Sequence, residues 1–266
     1  MSVKVHHLNC GTLRPLAVGD LVCHVLLVES NAGLVLVDTG FGIRDCDDPG
    51  RFGHIRRRLI RPVLEHEETA AHQVERLGFD RTDVRHIILT HFDADHIGGL
   101  ADFPDAQVHA TAAEVFGAMR SRLIQNRIRF RPPQWAHGPK IVEHQPVGEA
   151  WRGFAAAKEL TEIGPGFVLI SLPGHTLGHA CVAVDAGHRW LLHAGDAFYH
   201  PGTIAGAPPV PTWTARLEKL VAFDQKLVKD NHFRLAELYR RQEPDLVILC
   251  SHDPTLYEQA KATSRV

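Results

Sequence analysis

The apolar residues of this chain fall into short continuous runs separated by polar turns, a pattern typical of strands buried inside sheets. The predicted strands are residues 3–7, 21–29, 34–38, 84–90, 108–110, 167–172, 180–185, 190–193 and 246–250. Segments with a helical spacing of apolar residues alternate with them, at residues 67–77, 111–119, 213–228, 233–241 and 254–260. Strands and helices mixed in this way predict an α/β protein.

Composition and charge indicate which class of protein this chain belongs to. The chain has 266 residues, of which 44% are hydrophobic and 23% charged, as in ordinary globular proteins. We expect residues 1–266 to form a single domain. The 29 Lys and Arg residues and 31 Asp and Glu residues give a net charge of -2, which argues against a nucleic-acid partner.

The cellular compartment is predicted from the absence of long apolar runs and from the cysteines. No apolar run is long enough for a membrane span or a signal peptide, so we expect a cytoplasmic protein without a membrane partner. The five cysteines contain no C-x-x-C pair. They predict reduced thiols, neither a disulfide framework nor a cysteine-based zinc site.

Two arginine-rich stretches stand apart from the apolar pattern. Residues 51–61 contain five arginines, and residues 120–131 contain five more. Charge runs of this kind are usually solvated helix faces. The alternative is a lid, formed near residues 51–61 and 120–135, that places guanidinium groups over an anionic part of a substrate.

Histidine is the outlier of the composition, with 19 residues, and it is the commonest metal-binding side chain. Four metal-capable side chains occur together where the predicted strand 84–90 ends: His91, Asp93, Asp95 and His96. Two glycines follow them and allow the chain to turn away sharply. This spacing indicates ligands that converge on one centre.

Three further predicted strands end in residues of the same kind. His175 follows strand 167–172, Asp196 follows strand 190–193, and His252 follows strand 246–250. Because the ends of neighbouring strands meet at one edge of a sheet, we expect these side chains to gather there. The pattern predicts a metal centre.

This ordered set resembles the metallo-β-lactamase superfamily. The H-x-D-x-D-H segment at residues 91–96 is followed by His175, Asp196 and His252, and preceded by an L-V-D-T-G turn at residues 36–40. The resemblance implies a four-layer αββα sandwich with a two-metal site at one edge. It also implies hydrolase activity, which most members of the family have.

The resemblance further implies a ligand set for two divalent ions. One ion would be held by His91, Asp93 and His175, the other by Asp95, His96 and His252, with Asp196 bridging both. Asp93 departs from the family, which usually has histidine there. The extra carboxylate removes one net positive charge from the centre and should weaken its Lewis acidity. Zinc is the first choice of metal, and manganese or iron is the alternative at the first position.

Tyr199 narrows the branch of the family. It lies three positions after Asp196, which resembles the N-acyl-homoserine lactonases, where a tyrosine at this offset faces the substrate carbonyl. The implied reaction is hydrolysis of an ester or lactone of a small molecule by a metal-bridging hydroxide. Tyr199 would stabilise the oxyanion, and Asp95 would carry a proton to the leaving alkoxide. Alternatively, Tyr199 only packs under the loop that follows.

Other interpretations stay open at this point. A glyoxalase-II-like thioesterase would use Arg127, Arg129 and Arg131 to hold substrate carboxylates. A di-iron redox protein and a non-catalytic metal-binding protein are the alternatives from other classes, and a homodimer is compatible with each of these functions. We expect Asp38 to brace the metal loops and His179 to be structural.

Overall fold

The computed structural model describes residues 3–264, so residues 1, 2, 265 and 266 of the predicted domain lie outside the described residues. Its strands form two six-stranded sheets. The first sheet contains β1 (Lys4–Leu13), β2 (Leu21–Ser30), β3 (Gly33–Val37), β4 (Val84–Ile88), β5 (Gln107–Thr111) and β6 (Lys140–His144). The second contains β7 (Glu149–Trp151), β8 (Phe154–Glu159), β9 (Phe167–Ser171), β10 (Ala180–Asp185), β11 (Trp190–His193) and β12 (Leu246–Leu249).

Both sheets are mixed. In the first, strands β1 to β6 lie in chain order. β1, β2 and β3 pair antiparallel, while β3 to β6 pair parallel. In the second, the order is β12-β11-β10-β9-β8-β7, and only β11 and β12 pair parallel among the described strands.

Ten α-helices occur within residues 3–264. They are α1 (Ile43–Asp47), α2 (His54–Ile60), α3 (Ala70–Arg76), α4 (Ala94–Ile97), α5 (Ala112–Val115), α6 (Ile124–Arg129), α7 (Gly202–Ala205), α8 (Thr212–Val221), α9 (Gln225–Arg240) and α10 (Pro254–Thr263). A π-helical turn, Phe116–Arg120, continues α5. None of the helices in this described part has the length and apolarity that a membrane crossing needs.

Side-chain alternation in the strands builds three apolar layers. In β2, Leu26 and Val28 point between the sheets, where they meet Leu169 and Val182 of the second sheet. Their neighbours along the strand point outward, and there α3 covers the first sheet with Val74. A fully buried Leu or Val side chain contributes about 1.5–3 kcal/mol. The first sheet is therefore apolar on both faces.

The outer face of the second sheet is covered in the same way. Ile170 and Leu192 pack there against Leu235 and Leu238 of α9. Helix, sheet, sheet and helix follow one another through the molecule. The predicted α/β class and four-layer αββα sandwich are confirmed.

The strand prediction is incomplete between residues 140 and 159, where β6, β7 and β8 form. Strand β8 has the sequence F-A-A-A-K-E, whose residue types favour helix over strand. It forms a strand because it pairs with β9, Ala157 lying opposite Ile170. Tertiary pairing thus overrides local preference.

The predicted helix over residues 213–228 is wrong at its end. The chain breaks after Val221, and α9 begins at Gln225 with Asp224 as its cap, since the Asp224 carboxylate accepts from two backbone N–H groups of α9. The backbone N–H groups of Phe223 and Asp224 bond to the carbonyls of His175 and Gly174 at 3.0 and 2.9 Å. The break therefore attaches the α8–α9 connection to a loop that carries a predicted ligand.

Candidate metal centre

The loop after β4 and the single turn of α4 carry the first four ligand candidates. His91 and Asp93 precede the helix, with Asp93 as its N-cap, and Asp95 and His96 lie within it. The His91 side chain is fully buried, whereas those of the two aspartates are 14% and 15% exposed. The carboxylates therefore lie where the buried site meets solvent.

The buried carboxylate of Asp38 holds this loop. It accepts hydrogen bonds from the backbone N–H of Thr90 at 2.8 Å, from the Thr90 hydroxyl at 2.7 Å and from Nδ1 of His96 at 2.9 Å. Burial alone would raise the pKa of Asp38, but His96 brings it below its usual value, so the carboxylate stays ionised. Its backbone has a positive φ of 59°, which aspartate tolerates better than most residues.

The other three candidates follow strands of the second sheet. His175 lies after β9, Asp196 after β11 and His252 after β12, and all three are almost fully buried. His179 fixes the turn at Asp196: its Nε2 accepts from the Asp196 backbone N–H at 3.0 Å, and its Nδ1 donates to the Leu172 carbonyl at 3.1 Å.

The ligand candidates thus come from both sheets, and the expectation of one sheet edge was wrong. The backbone N–H of Ala180, in β10, donates to the carbonyl of Thr90, after β4, at 2.9 Å. This bond joins the ends of the two sheets beside the site. The centre therefore lies at an edge of the whole sandwich.

His91, Asp93 and His175 form what we call the first cluster. Nε2 of His175 lies 3.2 Å from Oδ2 of Asp93, and Nε2 of His91 lies 3.5 Å from the same atom. Oδ2 of Asp196 is 3.3 Å from Nε2 of His175 and 3.9 Å from Nε2 of His91. All four side chains therefore face one point.

Asp95, His96 and His252 form the second cluster. Oδ2 of Asp95 lies 3.6 Å from Nε2 of His252 and 3.9 Å from Nε2 of His96. The other oxygen of Asp196, Oδ1, is 3.2 Å from Nε2 of His252 and 3.3 Å from Nε2 of His96. Asp196 therefore lies between the clusters, with one oxygen toward each.

The ring orientations in the second cluster are fixed from behind. Nδ1 of His96 donates to Asp38, and Nδ1 of His252 donates to the Val22 carbonyl at 2.7 Å. Each Nε2 is then the position left for a proton or a metal ion. Burial would lower the pKa of His252, but the carboxylates of Asp196 and Asp95 raise it, so protons bind here when no cation competes.

His91 is oriented in the same way. The Thr90 hydroxyl donates to Asp38, so its oxygen accepts from Nδ1 of His91 at 2.9 Å. Nε2 of His91, Nε2 of His96 and Oδ1 of Asp196 are buried and have no hydrogen-bond partner within residues 3–264. Zinc–nitrogen bonds of 2.0–2.1 Å place neighbouring tetrahedral ligands about 3.3 Å apart. The donor set and its spacing therefore fit a bound cation.

Cys23 is an additional candidate ligand that the sequence analysis missed. Its Sγ and the ligand atoms of Asp95 and His252 all lie within 4.8 Å of one another. The thiol is buried, which raises its pKa well above the usual value, and Asp95 adds to the shift. Cys23 lies in β2, far from every motif, so no local sequence signal marks it.

Arg129 is the second residue with a role that the analysis did not predict. Its guanidinium is buried against the first cluster, with Nε 2.8 Å from Oδ1 of Asp93 and Nη2 2.5 Å from Oδ2. Nη2 also lies 2.5 Å from Nε2 of His175. The signal was present in two parts: the carboxylate of Asp93, which needs a counter-charge, and the arginine-rich segment.

Tyr199 lies beside both clusters. Its hydroxyl donates to Oδ2 of Asp196 at 2.5 Å, and its ring stacks on that of His252 at 5.2 Å. Burial raises the pKa of Tyr199 well above its usual value, and the charge of Asp196 raises it further. The phenol therefore keeps its proton at neutral pH and acts as a donor.

A cavity of about 440 Å³ opens onto these residues. Its floor is polar and contains Asp93, Asp95, His175, Asp196, Tyr199 and His252. Its walls are mostly apolar and include Leu13, Leu21, Ile60, Ile128, Leu217, Leu220, Val221 and Phe223. Such a shape suits a ligand with a polar reacting group and an apolar tail.

Several other histidines form hydrogen bonds within the sheets. His6 bonds Glu29 at 2.7 Å, His7 bonds His24 at 2.8 Å, and His193 bonds the His24 carbonyl at 2.8 Å. His193 therefore contacts the backbone of β2, and its other nitrogen accepts from the backbone N–H of residue 195. Its role is to hold the turn before Asp196.

A separate histidine row crosses the first sheet. His86, His109 and His144 lie on adjacent strands, and their facing ring nitrogens are 3.0 Å apart. Lys158 lies 3.2 Å from the remaining nitrogen of His144. Burial lowers the pKa of His109 to about 3. The row is therefore a chain of hydrogen bonds between neutral rings.

Comparisons with known proteins agree with this geometry. A family model described as the metallo-beta-lactamase superfamily matches residues 18–252. A probable metallo-hydrolase of Mycobacterium tuberculosis is 59% identical over 262 residues, which cover 98% of this chain and 84% of that protein. An N-acyl homoserine lactonase of a Bacillus species is 25% identical over 245 residues, 91% of this chain and 86% of that one.

A solved structure shares the fold. The crystal structure of a mutant of B. thuringiensis AiiA, with N-decanoyl-L-homoserine bound at its active site, superposes with a TM-score of 0.70. The two chains are 23% identical, and the match covers 98% of this chain and 97% of that one. The chain therefore belongs to the metallo-β-lactamase superfamily, as a metallo-hydrolase similar to the N-acyl homoserine lactonases.

Proposed function

We propose that the protein hydrolyses a small ester or lactone with two divalent cations held by the two clusters and Asp196. One observation carries the proposal: a buried carboxylate lies between two groups of histidine and aspartate ligands at the floor of an apolar cavity. The similarity to N-acyl homoserine lactonases favours a lactone whose acyl chain packs against the apolar walls.

When bound, the cations supply a water nucleophile at neutral pH and polarise the substrate carbonyl. The residues of the chain do the rest. The hydroxyl of Tyr199 would turn from Asp196, once that carboxylate binds the cations, and donate its hydrogen bond to the oxygen of the attacked carbonyl. The carboxylate of Asp95 would take the proton that the attacking water releases and deliver it to the leaving alkoxide. Leu21 and Ile128 keep bulk water from the acyl part of the substrate.

Zinc is the metal we propose, with manganese or iron as the alternative in the first cluster. Imidazole nitrogen and the nearby sulfur of Cys23 favour zinc in the second cluster. Asp93 makes the first cluster richer in oxygen and therefore more suitable for harder ions.

The two arginine-rich segments contribute residues to the cavity lining, which favours the proposal that they form a wall or lid. Helix α2 contributes Arg56 and Ile60 to the lining, and α6 contributes Gln125 and Ile128. We propose that these two helices select the acyl group. The thioesterase alternative loses one of the three arginines it would use, because Arg129 is bound to Asp93.

The cysteines support a reducing compartment. All five are free, and four of them are buried. We therefore propose that the enzyme works in the cytoplasm. The homodimer stays a prediction.

A substrate screen tests the proposed reaction. Protein whose metal content is known from mass spectrometry is assayed with lactones of increasing acyl length, thioesters and β-lactams. We expect turnover of lactones with a preference for apolar acyl chains, which the cavity walls would bind. Turnover of thioesters without turnover of lactones would contradict the proposal.

The variant Tyr199→Phe tests the proposed oxyanion donor. We expect turnover to fall about 10-fold to 1000-fold, the range of a lost oxyanion donor or less, with the metal content unchanged. Tyr239→Phe is the matched control, because Tyr239 is a partly exposed tyrosine of α9. Equal turnover in the two variants would remove Tyr199 from the mechanism.

A further inference from the structure

The guanidinium of Arg129 lies inside the first cluster, at a place that a cation would need. Nη2 is 2.5 Å from Oδ2 of Asp93 and 2.5 Å from Nε2 of His175. A zinc ion bound by the same two atoms would be about 2.0–2.2 Å from each. Two positive groups cannot share this space, because they overlap and repel each other.

Arg129 is held there by further bonds. Nη1 donates to the carbonyl of His175 at 2.9 Å and to the carbonyl of Val221 at 2.5 Å. The side chain is 13% exposed. Paired forks between Arg and a carboxylate are among the strongest hydrogen-bonded contacts in proteins. A cation that enters the first cluster must therefore displace a well-bound group.

The second cluster has no such competitor within residues 3–264. Nε2 of His96 is buried without a hydrogen-bond partner, and the rings of His96 and His252 are fixed by Asp38 and by the Val22 carbonyl. In the first cluster His91 is held by the Thr90 hydroxyl, but Nδ1 of His175 has no partner among the described residues to orient the ring. The two clusters are thus prepared to different degrees for a cation.

The charges explain why an arginine belongs here. Asp93 brings a negative charge to a position where the family usually has a neutral histidine. Arg129 neutralises that charge through two hydrogen bonds. A carboxylate and a guanidinium together restore the charge that a neutral side chain would give.

We propose that Arg129 is an internal competitor for the first cation, so that the protein binds one cation tightly in the second cluster and another weakly in the first. While the first cluster holds no cation, Arg129 provides its positive charge. This inference rests on the metal ligands of the proposed function and is independent of the substrate.

A metal titration tests the inference. Metal-free protein is titrated with Zn²⁺ by calorimetry and with Co²⁺ by visible absorbance, and retained metal is counted after dialysis. For the unchanged protein we expect close to one retained ion per chain and a second site at least about tenfold weaker, the effect expected of contacts around metal ligands. In Arg129→Gln, the ratio between the two affinities should fall at least about tenfold.

Two variants distinguish the effect of losing the positive charge of Arg129 from a general disturbance of the helix. Arg129→Lys keeps a positive charge and should keep the two affinities apart. Arg127→Gln removes a neighbouring arginine that is exposed on the same helix, and it should bind metal like the unchanged protein. If Arg129→Gln does not fold, Asp93→His removes the partner of Arg129 instead and should bring the two affinities together.

The outcomes distinguish this inference from the proposed function. Two equally tight metal sites in the unchanged protein would overturn the competitor role of Arg129 and leave the hydrolase proposal intact. An unchanged affinity ratio in both Arg129→Gln and Asp93→His would do the same. If neither cluster bound metal, both the competitor role of Arg129 and the proposed hydrolase function would be overturned.

Discussion

Replacing Asp196 with alanine is expected to remove bound metal and turnover together. Its two oxygens face different clusters at 3.2–3.3 Å from the nearest histidine nitrogens, so its loss weakens both sites at once. Without the Asp196 carboxylate, two cations held near the four buried imidazoles would repel each other more strongly, because less negative charge would lie between them. We expect turnover to fall more than about 1000-fold, beyond the loss of one oxyanion donor. Steady-state kinetics and metal mass spectrometry measure the two effects.

The control for this variant is Asp230→Ala, on the exposed side of α9. It should keep metal, turnover and the unfolding midpoint of the unchanged protein. If Asp196→Ala retained as much metal as the unchanged protein and full turnover, the bridging role would be wrong. Loss of turnover with full metal retention would leave Asp196 in the reaction but not in metal binding.

Replacing Asp38 with alanine is expected to lower both stability and metal affinity. The change leaves the backbone N–H of Thr90, the Thr90 hydroxyl and Nδ1 of His96 without an acceptor in a buried place. Breaking a buried charged pair on one side costs about 3–5 kcal/mol. Loss of a group that orients a metal ligand costs about 10-fold to 100-fold in affinity.

Urea unfolding of the metal-free protein measures the first effect, and zinc titration measures the second. Asp38→Asn serves as the matched variant, because it keeps the size and one acceptor oxygen, and it should lose less in both measurements. Stability lost without any change in zinc affinity would mean that Asp38 supports only the fold. In that case His96 would need another group to orient it.

The central strands and the candidate ligand residues were predictable because each rests on a local pattern. Strands β2, β3, β10 and β11 are buried on both faces over most of their length, so their apolar runs are continuous in the sequence. The ligands directly follow strands, and their positions along the chain carry the resemblance to the family. The structure brings all seven together, although from two sheets instead of one.

What could not be predicted depends on contacts between distant residues. Strands β7 and β8 form because a neighbouring strand pairs with them, not because of their own composition. Cys23 reaches the second cluster because β2 passes beneath it. Arg129 is one arginine among five in its segment, and only the folded chain distinguishes it from the solvated ones, since α6 directs it to Asp93.

The origin of the ligands in both sheets has a consequence for the unfolded chain. Cations bound as proposed would link His91 to His252 through Asp196, a cross-link across about 160 residues, and closing so long a loop restricts the unfolded chain by roughly 5 kcal/mol in the loop-entropy relation. The proposed metal centre would therefore also stabilise the association of the two sheets. Chelation is therefore expected to lower the free energy of unfolding of the metal-loaded protein.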